Sequence, residues 1–241
     1  IRKGDTLELK NLHSLLDESR RLVYNTALFT SVDITPVLLE NQQLSIVVSV
    51  QEKWYIYPLP HLQLADRNFN EWWNTYNADF SRLIYGVRFM HYNTGGRRDP
   101  LTIMVNSGYT RNISVLYTSP YSNRTLTEGF SIQATYSDNR ETIVSTSANN
   151  KLQLFKTDNF SRKNFFFGAN YMRRNGFYFR HQIGAGINYT EVDDSVVLLN
   201  PRFFNTNKTG MLYPDFSYKL QFLKVDNINY PLDGLSFTAG I

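Results

Sequence analysis

From Glu52 to the end of the chain, apolar and polar residues alternate with a period of two, segment after segment. Phe130, Ile132, Ala134 and Tyr136 interleave with Ser131, Gln133 and Thr135. Phe179, Ile183, Ala185, Ile187 and Tyr189 oppose Arg180, Gln182, Gly184, Gly186 and Asn188, and Phe216, Tyr218, Leu220 and Phe222 alternate with Ser217, Lys219 and Gln221. Successive strand side chains point to opposite faces, so each segment predicts a strand with one apolar, aromatic face and one polar or glycine face. Each is close to the ~9–11 residues that a tilted strand needs to cross hydrocarbon. The 17 Phe, 16 Tyr and 3 Trp make up 15% of 241 residues, a share that fits the aromatic girdles of a transmembrane barrel or an aromatic-rich β-sandwich.

The mean hydropathy is that of a soluble protein, and no run approaches the ~18 apolar residues of a membrane-spanning helix. Neither fact weighs against a barrel, whose alternating strands average out to a polar composition. Turn signals divide the strands at Asn93–Gly96, Arg111-Asn112, Ser122-Asn123 and Arg174-Asn175-Gly176, with longer polar stretches at 67–79, 138–160 and 190–210. Short turns alternating with long loops are the asymmetry of outer-membrane barrels, turns periplasmic and loops outside.

The first fifty residues follow another period. Gly4-Asp5 opens a helix, with Asp5 as N-cap and Glu8 as its capping-box partner. Leu9, Leu12, Leu15, Leu16, Leu22 and Val23 recur at helical spacing, and Ala27-Leu28-Phe29 ends the helical stretch. A short strand, Ser31 to Thr35, follows; after a turn at Glu40–Gln42 comes a longer one with Leu44, Ile46, Val48 and Val50 alternating against Ser45, Val47 and Ser49. The fold class expected is an N-terminal α/β module over 1–52, followed over 53–241 by an all-β, incomplete antiparallel transmembrane β-barrel of about eight strands and the start of a ninth. The chain has no initiating Met and no signal peptide, and Ile241 falls within a strand-like pattern, so a piece of a longer protein is expected.

Little points to chemistry. With no cysteine, thiolate metal sites, disulfides and a cysteine nucleophile are excluded. The net charge of +4 divides into −1 over residues 1–53 and +5 over the rest, too diffuse for a nucleic-acid footprint. His13, His61, His91 and His181 lack metal-ligand spacing, Gly184-x-Gly186 lies within a strand, and no Gly-x-Ser-x-Gly elbow occurs. Arg97-Arg98-Asp99 and Asp193-Asp194 read as solvated charge clusters in connections. No enzyme activity, cofactor or metal is expected.

The order of motifs resembles the Bam-type outer-membrane assembly factor superfamily, a POTRA module followed by a surface-antigen β-barrel. The residues carrying the likeness are Gly4-Asp5, Ser19-Arg20-Arg21-Leu22, Leu28-Phe29-x-x-Val32-x-Ile34 and Val48-x-Val50-x-Glu52 in the module. In the barrel they are Asn93-x-x-Gly96, Ser114-x-x-Tyr117-x-Ser119-Pro120-Tyr121 and Asp226-x-x-x-Tyr230-Pro231-x-Asp233-Gly234. The resemblance implies that 1–52 is the POTRA domain nearest the barrel, lacking most of its first strand, and that 53–241 is the first half of a barrel of about sixteen strands. The family's Arg-Gly-Phe-type lumenal motif is absent; Arg174-Asn175-Gly176-Phe177 reads as an ordinary turn.

The resemblance also implies an outer-membrane location with the N-terminal domain in the periplasm. Outer-membrane lipid and client β-barrel polypeptides would be the partners, and accessory lipoproteins are allowed as further ones. An extended client or accessory segment would add to the edge formed by Ser45, Ile46, Val48 and Val50, or to that strand's partner. The first barrel strand, Lys53 to Asp66, contains Trp54, Ile56, Pro58, Pro60, Leu62 and Leu64. Its two prolines remove two donors from one strand edge, which suits a weak lateral seam, or else they lie in a linker before the strand. Assembly of client barrels, secretion of a polypeptide through the barrel, and a passive pore or anchor all remain open on these residues.

Overall fold

The computed structural model describes residues 9–39, 43–147, 150–206, 208–228 and 230–241. The expected cap and capping box at Asp5 and Glu8 and the turn at Glu40–Gln42 lie outside them. The chain divides into two compact units, Ile1–Tyr55 with Gln221–Thr238 and Ile56–Leu220 with Ala239–Ile241.

In the first unit, α1 (Leu9–Tyr24) precedes β1 (Phe29–Leu38) and β2 (Leu44–Glu52), an antiparallel pair. The helix stops at Tyr24, before the expected end at Ala27-Leu28-Phe29. The amides of Thr26 and Ala27 donate to the carbonyls of Val23 and Tyr24, tightening the last turn, and Ala27 then takes φ +60. β1 is also twice the length expected, because it runs through Pro36. Leu39 N–H donates to Gln43 C=O at 2.7 Å, so odd-numbered residues of β1 carry the hydrogen-bonded pairs and the Pro36 nitrogen points away from β2. Leu16 of the helix and Val32 of β1 are the buried apolar side chains here. A lone two-stranded ribbon is marginal in water, so this helix cover is what makes the ribbon tenable.

The main sheet has nine strands in the order β13-β12-β11-β10-β7-β6-β5-β4-β3. These are β3 (Ile56–Leu64), β4 (Leu83–His91), β5 (Leu101–Gly108), β6 (Thr110–Ser119), β7 (Glu128–Asn139), β10 (Arg162–Asn175), β11 (Phe179–Val192), β12 (Gly210–Val225) and β13 (Gly234–Gly240). It is an up-and-down meander with β3 and β13 at its edges, and it does not close on itself among the described residues. A line of register partners runs from Leu59 through Arg88, Met104, Ser114, Thr135 and Phe166 to Asn188. It starts near the beginning of β3 and ends near the end of β11, the stagger of tilted barrel strands.

Three connections differ from expectation. Arg111 and Asn112 lie inside β6, because the chain bends at Gly108, whose φ of +101 does the turning. The stretch 138–160 contains a separate hairpin, β8 (Glu141–Thr146) with β9 (Leu152–Lys156). The stretch 190–210 begins with the last residues of β11 and contains α2 (Asp194–Leu199), whose first turn is capped by Asp193 accepting from Ser195 N–H at 2.9 Å. Val144, Val192 and Val196 bury one another there, backed by Phe155, Phe203 and Phe204. That local core explains why these loops are structured: one apolar side chain from each of three elements suffices to pin them.

The two faces of the sheet invert the usual burial. Phe167 and Ile183 on the apolar face are 47% and 58% exposed, whereas Ser131 and Thr190 on the polar face are 6% and 7% exposed. Polar-face packing depends on missing side chains. Gly168 and Gly186 are register partners, and a Cβ on either would fall within 3 Å of the inward-pointing Phe166 ring, at 2.6 and 2.8 Å. The ring thus fills the space that two paired glycines leave. Gly186→Val is expected to overpack this spot against Phe166 and Asp215 and to destabilise the sheet by about 1–3 kcal/mol. Urea unfolding followed by tryptophan fluorescence in detergent checks this; an unchanged midpoint would contradict it.

Candidate functional site: the edge strand and its turns

β3 pairs with β4 in the register Pro58↔Phe89, Pro60↔Val87 and Leu64↔Leu83. Just beyond it, Ala65 N–H donates to Arg82 C=O at 3.0 Å. Backbone N–H groups two residues apart point the same way, so His61 and Gln63 face β4. Even-numbered residues face the open edge, and Pro58 and Pro60 put their donorless nitrogens on it. Both prolines therefore lie within the strand, not in a preceding linker. Their rings share the apolar face with Phe89 and Val87, and Ile56, Leu62 and Leu64 lie on that face too. Trp54 falls outside, in the connection before β3, where it is 71% exposed. On the polar face His61 Nδ1 meets Asn106 Oδ1 at 3.1 Å, across Gly86 of β4. A Cβ at Gly86 would overlap the Asn106 side chain, so glycine there opens the path between β3 and β5.

The far end of β3 is fastened by charge. Arg82, immediately before β4, holds Asp66, just after β3, through Nη2 at 2.6 Å and Nε at 3.0 Å. Its Nη1 donates to Tyr109 Oη and Glu141 Oε1, each at 3.1 Å, and its guanidinium carbon lies 3.8 Å from the centre of the Tyr76 ring. Lys156 reaches Glu141 at 3.6 Å. Burial on its own would push the guanidinium down; the bonds to Asp66 and Glu141 outweigh it and raise the group above its ordinary value. Burial and the neighbouring Glu141 push the Tyr109 phenol up. The loop before Arg82 carries a further aromatic cluster, with Phe69 stacked on Trp73 at 5.6 Å and Trp72 edge-on to Phe80 at 5.6 Å. Nothing in the local sequence marks the Arg82 cluster, because its members span residues 66 to 156.

At the other end, turn residues act through hydrogen bonds. Asn93 Oδ1 accepts from Arg98 N–H at 2.8 Å, and Gly96 takes φ +82. Asp99, read as solvated, is instead 4% exposed and accepts from Gly95 and Arg97 N–H and from the Tyr117 hydroxyl. Burial alone would raise its carboxyl; these bonds hold it below the usual carboxylate range. Pro120 follows the last residue of β6, and Tyr121 lies 5.6 Å from the Arg174 guanidinium. Asp226 Oδ1 accepts from Leu232 and Asp233 N–H at 3.0 and 3.2 Å, closing the turn that carries the exposed Tyr230 and Pro231. Gly234 ends this turn at φ +118, where a Cβ would overlap Lys224 C=O. In the same unit as the N-terminal module, Asn25 Nδ2 donates to Asp226 C=O at 3.3 Å.

β2 presents the other candidate edge. By the register that orients Pro36, the backbone groups of Ile46, Val48 and Val50 point away from β1, whereas Ser45 bonds to Val37. Arg82→Met should destabilise the fold by roughly 3–5 kcal/mol, because Asp66 is left as a buried unpaired charge. Arg82→Lys should rescue little, since lysine cannot reproduce the forked bonds. Urea midpoints of both variants test this; a wild-type midpoint for Arg82→Lys would overturn it.

No protein-family model matches the chain, and no curated protein matches it in sequence. A solved structure is similar in fold: "The crystal structure of BamA from Haemophilus ducreyi lacking POTRA domains 1-3". The whole of this chain aligns with 43% of that one, at TM-score 0.51 and 15% identity, so the chain spans less than half of its length. At that identity the likeness concerns the fold, and the fold is a β-barrel sheet of the BamA kind.

Proposed function

We propose that this chain is part of an outer-membrane assembly factor: a periplasmic POTRA-like module, 1–52, leading into the first strands of a transmembrane barrel, 53–241, that admits client strands at β3. The observation that carries the reading is the proline-bearing edge. Pro58 and Pro60 leave acceptors without donors on the one side of β3 that no described strand covers. Unpaired backbone groups are costly in hydrocarbon, so a seam poorer in hydrogen bonds opens at lower cost than any interior pair of strands. The His61–Asn106 contact to β5 and the Arg82–Asp66 pair hold the inner side of β3 in the sheet while its outer side stays available.

The exposed apolar face supports a lipid environment, and no helix among the described residues is long and apolar enough to cross a membrane. In this reading Ile46, Val48 and Val50 offer backbone groups to an extended client or accessory lipoprotein by strand addition. The driving force is the client's own burial, so no catalytic residue, nucleotide or cofactor is needed.

Restoring donors in Pro58→Val with Pro60→Val is the test, made on the whole protein in cells depleted of the wild type. Assembly of other outer-membrane barrels should slow severalfold, while the variant itself still folds and inserts. Normal assembly of other barrels with this variant, or after depletion alone, would overturn the reading.

A further inference from the structure

One charged feature plays no part in the seam. Arg174 and Arg180 are register partners across β10 and β11, on the polar face and beside the 176–178 turn. Like charges placed directly opposite each other are destabilising. Neither guanidinium has a carboxylate within ion-pair distance among the described residues. Arg174 Nε is buried without a hydrogen-bond partner. The Arg174 guanidinium lies 5.6 Å from the Tyr121 ring and 5.8 Å from the Phe177 ring, which hold it in place. Its backbone is tied down as well, with Arg174 N–H donating to Thr127 C=O at 2.7 Å. The pair lies at the end of the sheet where β3 begins, at Ile56.

We propose that Arg174 and Arg180 form a binding site for a carboxylate carried on a polypeptide segment that reaches the polar face of the sheet. A paired, fork-shaped donor set on a rigid hairpin suits a planar carboxylate, and bound anion offsets the repulsion between the two arginines. A polypeptide is favoured over lipid because lipid packs on the opposite, apolar face. The choice of a polypeptide rests on the reading of the apolar face as lipid-facing, but the site holds whether or not β3 is a seam.

The probes are two fluorescein-labelled, end-blocked hexapeptides that differ by one central Glu or Gln, titrated against the folded full chain in detergent micelles. The Glu peptide should bind about tenfold tighter or more, the range for hydrogen bonds to charged groups. Arg174→Gln with Arg180→Gln should abolish that preference, Arg180→Lys should reduce it, and Arg88→Gln, elsewhere on the polar face, should preserve it. Relieving a like-charge pair should not unfold the sheet, and circular dichroism of each variant verifies this. Equal binding of the two peptides, a preference that survives in the double variant, or displacement by equimolar inorganic phosphate would each overturn the proposal.

Discussion

A strand's backbone polar groups must be paired with a neighbour, and β3 is where this chain departs from that requirement by design of its side chains. Along the sheet each interior strand has a partner on both sides. On the outer side of β3 two of the positions that would donate are proline, so the edge offers acceptors in excess. The same prolines on the β4 side would have removed ladder bonds and detached the strand. Their shared parity makes the edge soft without weakening its attachment.

The remainder of the structure around β3 works as compensation. At its polar face His61 reaches past Gly86 to Asn106, bonding to a strand it does not adjoin. At its far end the Asp66–Arg82 pair, with Tyr109 and Glu141, ties the β3–β4 loop to the β5–β6 turn and the β8–β9 hairpin. A buried ion pair of this kind adds little net stability over apolar packing but is costly to break. It therefore acts as a fixed point for three loops, while the opposite end of the sheet is held by turn hydrogen bonds, among them those accepted by Asp99 and Asp226.

Much of this architecture was legible because period-two alternation is a local signal. The strands around Phe130–Tyr136, Phe179–Tyr189 and Phe216–Phe222 appear where the alternation places them, and the face assignments follow. The errors came where local signals competed. Pro36 reads as a strand end, but its nitrogen faces away from β2, so β1 continues. Arg111-Asn112 reads as a turn, but Gly108 turns the chain three residues earlier. Asp99 reads as a surface charge, because nothing in Arg97-Arg98-Asp99 reveals that Tyr117 will arrive from the next strand. The Arg82 cluster was invisible for the same reason, with partners 16, 27 and 59 residues away. The proline pair was legible as a peculiarity, yet its direction required the register.

Amide hydrogen–deuterium exchange on the folded chain in lipid nanodiscs tests the direction of that edge most directly. The amides of His61 and Gln63, bonded toward β4, should exchange roughly tenfold or more slowly than those of Leu62 and Leu64 on the outer side. Equal protection of the four, or greater protection of Leu62 and Leu64, would contradict the account of β3 as the soft edge of the sheet.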